Sequence, residues 1–327
     1  MNQEIPPPLP IEFKDRKTSL TFFGVLTILA GLLCVLLVAF MFFAQKTSSH
    51  THGASQHPGA FIMPAFIYGG LAVAFIWLGI GSIMARRWAR ALLLIMSWST
   101  LILGLVMLAF LAAMSGTFLA SMQAAQPSGH KLPEAAQWII LFTTGIVFGV
   151  LFVIFPAIWA FFYGSKSVKA TCERRDPVEC WTDRCPLSVL AASLFMAFSA
   201  ISVLLTSFSL HGVIPFFGTY LAGLPGILLY LLISAFWFYC AWAFYKLDSR
   251  GWWIGIVGVC IFPISAAITY YQHGIMEFYK LAGYSGEELA RLQQVSFLNG
   301  NNLVWFTLAS VLPWLGCLLF VKKYFRD

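Results

Sequence analysis

LTFFGVLTILAGLLCVLLVAFMFFA, residues 20–44, decides the fold class. It carries no charged side chain and exceeds the roughly 20 apolar residues needed to cross a bilayer. Lys14, Arg16 and Lys17 precede it. The run is too long for the apolar core of a cleavable leader, so it is expected to stay in the protein as a signal anchor.

Seven further runs of the same kind follow, at 60–85, 91–114, 136–163, 187–208, 213–245, 251–271 and 302–321. Eight spans make an all-α integral membrane protein. The sixth run is long enough to be tilted or broken. Composition agrees: 60% of the 327 residues are hydrophobic and 10% charged, whereas soluble domains run near half apolar and about a quarter charged. The surrounding lipid bilayer is therefore the first expected partner.

The basic residues fix the expected orientation. Sixteen of the 20 Lys and Arg fall on the side of the termini, and only Lys46, Lys131, Lys280 and Arg291 fall on the other. Short basic turns face the cytoplasm, so both termini are expected inside. A bacterial inner membrane is the expected location. The net charge of +7 is explained by this bias and does not point to nucleic acid.

Landmarks recur at nearly constant spacing: Trp77 and Trp237, Arg90 and Arg250, Pro64 and Pro225, Pro156 and Pro313. They suggest two parallel four-helix repeats, 4+4, related by an axis along the membrane normal. The expected organisation is a disordered proline-rich tail (1–18), a first four-helix half (19–164), a linker loop (165–186) and a second four-helix half (187–327). In the last outer loop, Ser285 and Glu288 have capping-box spacing and predict a short helix. Gly145/Gly149 and Gly251/Gly255 have the spacing of close helix contacts.

No catalytic or cofactor motif is present, so neither an enzyme nor a cofactor is expected, and no oligomeric state is indicated. No acidic or basic residue falls deep inside a span, which argues against ion-coupled transport. The prolines and glycines of spans two and six (Pro64, Gly69, Gly70, Gly79 and Gly81; Pro215, Gly218, Gly223, Pro225 and Gly226) suggest a matched pair of interrupted helices. Such pairs mark binding sites in some transporters. A cavity between spans two and six is then expected near Pro64, Tyr68, Tyr220, Pro225 and Tyr230.

His50, His52 and His57 lie within eight residues of one outer loop. Neutral imidazoles bind zinc or copper, although the loop offers neither carboxylate nor thiol, and ordinary solvated histidines explain it as well. The linker mixes Glu173, Arg174, Arg175, Asp176, Glu179, Asp183 and Arg184 with three cysteines. It is expected either to pair with the short inner turns or to receive a cytoplasmic protein. The reading that follows is an interaction or accessory membrane protein. The alternative is a passive channel or carrier for a neutral or weakly polar solute, with its site between spans two and six.

Overall fold

The computed structural model describes residues 15–51, 59–116, 119, 133–293 and 302–325. Among them, eight helices are long and apolar enough to cross a membrane. Spans one to three are α1 (Lys17–Thr51), α2 (Gly59–Ile83) and α3 (Arg87–Ala113). Span four is α4 (Glu134–Gly149) and α5 (Phe155–Gly164), joined by a π turn, Val150–Ile154. The linker contains α6 (Lys166–Arg175) and a 3₁₀ turn, Trp181–Asp183. Spans five to seven are α7 (Leu187–Ser209), α8 (Leu224–Tyr245) and α9 (Ser249–Leu281), and α10 (Gly286–Gln293) follows. Span eight is α11 (Asn302–Ala309) and α12 (Val311–Val321).

Two breaks have the same cause. Proline has no N–H, and its ring clashes with the carbonyl four residues earlier. Pro156 sits just after the π turn, where the Phe155 N–H reaches back five residues to the Val150 carbonyl. Pro313 sits just after the break at Ser310 that separates α11 from α12. In span four, the displaced backbone presses against α3: a methyl group on Gly104 would overlap the Phe152 carbonyl.

Pairing of neighbours in sequence builds the molecule. Helices α1 and α2 approach through Gly24 and Gly79, where an added Cβ at either would lie under 3 Å from the other's carbonyl oxygen. Gly145 and Gly149 instead meet Leu111 and Leu108 at ordinary contact range, so that glycine pair does not set the closest approach of its helix. Buried Tyr163 and Ser82 share a 2.7 Å hydrogen bond, and Ser82 donates to the Leu20 carbonyl, tying spans one, two and four. Spans five and six exchange hydroxyl bonds: Ser193 to the Ala241 carbonyl and Ser234 to the Ala200 carbonyl. The Trp252 indole donates to the Leu318 carbonyl and joins span seven to span eight.

Three stretches differ from the sequence expectation. Helix α1 runs on to Thr51, into the predicted outer loop. Span seven continues to Leu281 through a kink at Gly274, whose φ of 69° lies in the left-handed region. The start of the sixth run is not helix. Strands β1 (Ile214–Phe216) and β2 (Thr219–Leu221) pair antiparallel as a hairpin. The predicted short helix is α10, and the Ser285 N–H donates to the Glu288 carboxylate at 2.8 Å.

Candidate functional site

The hairpin folds back along α9. The Phe217 N–H donates to Ser265 Oγ at 2.9 Å and the Gly218 N–H to Thr269 Oγ1 at 3.0 Å. Ser265 and Thr269 lie four residues apart on one face of α9 and are buried. They satisfy the donors that the hairpin tip cannot pair with its own strands, as backbone in an apolar layer requires. Gly218, at φ +91°, makes the tight turn, and a side chain there would strike Gln272. The tip meets Ser265 nine residues before the Gly274 kink, roughly 14 Å along the helix axis.

Beneath the hairpin lies a cavity of about 500 Å³. Helices α7, α8, α9 and α12 supply its walls and the hairpin its roof. Tyr230, Trp237, Phe262 and Trp314 set aromatic rings into an otherwise mostly aliphatic lining that includes Met196, and no charged, amide or imidazole side chain lines it. Three of its four hydroxyls are committed. Ser265 accepts from the hairpin, Ser310 donates to the Thr307 carbonyl, and the Tyr230 hydroxyl donates to the Val213 carbonyl at 2.8 Å.

The five residues expected between spans two and six are not gathered there. Tyr230 lines the cavity; Tyr220 sits in β2 and donates to the Gly274 carbonyl at 2.6 Å, holding the α9 kink. Pro225 opens α8 within its first turn, where a missing N–H breaks nothing. Of the others assigned to a broken span six, Pro215, Gly218 and Gly223 belong to the hairpin and the α8 cap, and Gly226 is buried in the first turn of α8. Pro64 is inside α2, and Tyr68 is exposed on the same helix. Helix α2 packs chiefly on α1, and α8 chiefly on α7. The void thus lies inside the last four spans. The signal in the sequence for this arrangement is Ser265-x-x-x-Thr269, a hydroxyl pair within the apolar stretch 251–271 of α9.

His52 and His57 lie outside the described residues, and His50 falls in the last turn of α1. Among the described residues, no group of three or more His, Cys, Asp or Glu is placed to hold a metal ion.

The linker forms a second constellation, beside the start of α1 at Asp15 and Arg16. Asp176 accepts from the Arg86 guanidinium at 3.4 Å and from the Arg87 backbone at 3.3 Å. Arg87 also pairs with Glu173 and Asp183 at 3.7 and 3.4 Å. Asp15 binds Arg175 at 2.9 Å, which lowers the Asp15 pKa, and the Arg16 N–H donates to Thr171. The Tyr245 hydroxyl, at the end of α8, donates to the Trp181 carbonyl. The linker is thereby fastened both to the start of α3 and to the end of α8. Asp248 instead caps its own helix through the Arg250 N–H.

Comparison with family models, with curated proteins and with solved structures finds no match to this chain.

Proposed function

We propose that the chain is an interaction or accessory membrane protein that holds its termini in the cytoplasm and presents the 165–186 linker to a protein partner. One observation carries this: the linker is a preformed platform. Ion pairs and hydrogen bonds to Asp15, Arg86, Arg87 and Tyr245 fix its backbone. Yet Val178 is 72% exposed and Trp181 40% exposed, both outside the spans. Apolar side chains held outward on an ordered surface favour association, and Trp is a common anchor of interfaces. The basic bias toward this face supports its cytoplasmic orientation.

The 4+4 duplication is part of the same proposal, and turn geometry supports it. Between spans two and three the Arg86 N–H reaches the Gly81 carbonyl, with Ala85 at φ 53°. Between spans six and seven the Asp248 N–H reaches the Ala243 carbonyl, with Leu247 at φ 58°. Each turn brings a glycine and an alanine together, Gly81 against Ala89 and Ala243 against Gly251. In this register Trp252, not Arg250, corresponds to Arg90.

The test is a photo-crosslinking side chain at Val178 in intact membranes. A discrete protein adduct is expected. Trp181→Asp should reduce it roughly tenfold, the effect of removing an anchor of about 1.4 kcal/mol, with protein level unchanged. Adducts to lipid alone would overturn the proposal.

A further inference from the structure

The cavity of the last four spans has a chemistry that the linker platform does not explain. We propose that it is a binding site for one hydrocarbon chain of a bilayer lipid, taken from the leaflet farther from the termini.

Three observations carry this. The lining offers almost nothing to a polar ligand. A buried sugar, amino acid or ion needs several hydrogen-bond partners, and here the lining leaves only the Ser199 hydroxyl and the indole N–H groups of Trp237 and Trp314, with no charged group and no carboxylate. Size and shape fit an extended apolar guest. About 500 Å³ lies within the usual range of ligand cavities. Its wall on α8 runs from Leu229 to Trp237, roughly 8 to 20 Å in from the start of that helix. That stretch, roughly 12 Å long, begins in the leaflet farther from the termini and reaches the middle of a 30 Å hydrocarbon core.

The third observation is the mouth. Phe216, Phe217, Ile261 and Trp314 line the cavity and keep between 39% and 52% of their surface exposed, so the cavity is not sealed. In a chain with eight apolar spans, the surroundings of such a surface are acyl chains. The opening then meets the solvent that would fill it. The hairpin, fixed to Ser265 and Thr269, covers the end toward the far face. A lipid can insert its tail past Phe217 while its headgroup stays at the interface. Aromatic walls on several sides then replace the loose contacts of neighbouring lipids with close-packed ones.

The experiment uses full-length protein in phospholipid vesicles doped with a phosphatidylcholine bearing a photoactivatable diazirine in one acyl chain. After illumination, peptide mapping should find Met196 and Trp237 labelled several-fold above Phe161 and Leu36, two lipid-facing residues of other spans. Val203→Phe and, separately, Ser199→Leu fill the cavity. Both should reduce labelling at Trp237 several-fold and leave Phe161 unchanged, with thermal unfolding in detergent as the check on folding. The proposal fails if wild-type Trp237 is labelled no more than Phe161. It fails if correctly folded filling variants label like wild type. Labelling by a free photoactive fatty acid but not by the phospholipid would overturn the lipid source, and crosslinks to a second copy of the chain would identify a different occupant.

Discussion

Cys172 shows how position sets the behaviour of a single side chain. It is 1% exposed on the inner face of α6, and burial pushes its thiol up to about 11, with Asp176 and Glu173 adding in the same direction and Arg90 opposing. The thiolate is the reactive form, so this cysteine is nearly inert at neutral pH. Cys180, eight residues on, is partly exposed at the rim of the same linker. N-ethylmaleimide at pH 7 should therefore modify Cys180 well before Cys172, as read by peptide mapping; equal rates would contradict the packing of α6. The sign of the linkage is fixed as well. A folded-state pKa above the unfolded value near 9 gives stability that is present below pH 9 and lost as pH rises toward 11.

Elements are held in this protein by hydroxyl groups more than by charges. Ser193, Ser234, Ser265 and Thr269 each bond the backbone of a neighbouring element, a use of small polar side chains suited to apolar surroundings. The hairpin depends on two of them. The double substitution Ser265→Ala, Thr269→Ala leaves two tip N–H groups without acceptors, each worth about 1–3 kcal/mol when buried. The hairpin should loosen. A cysteine introduced at exposed Thr219 should then react faster with a membrane-impermeant maleimide applied from the far side than in the parent carrying only Thr219→Cys. An unchanged rate would mean that the strands hold the hairpin without α9.

At the scale of the whole molecule, the linker and the helices beside it form the contact that joins early spans to late ones. Ile95 of α3 packs with Leu190 of α7 and with Cys185 of the linker, and the linker's ion pairs lie beside this contact. Farther along, the rings of Phe110 and Phe306 approach to 5.6 Å between spans three and eight. Eight crossings require residues 176–180 to share a side with the termini and residues 210–223 to face the other way. Reporter fusions at these two places should give opposite signals; matching signals would remove the even count of spans and the proposed 4+4 duplication with it.

Local properties of the sequence determined the eight spans, the basic bias of one face and the short helix after Ser285. Apolar length, charge and capping act over one element at a time, and no distant contact is needed to read them. The linker's pairing with Arg86 and Arg87 was half legible, since opposite charges on one face invite it, but its tie to Tyr245 was not. Only the tertiary structure decided that residues 214–221 form a hairpin. An apolar run rich in Phe, Pro and Gly suits helix or hairpin alike, and the choice fell to two hydroxyls on a helix nearly 50 residues downstream. The same non-local contact put the cavity inside the last four spans, because Pro225 begins a helix where the hairpin ends.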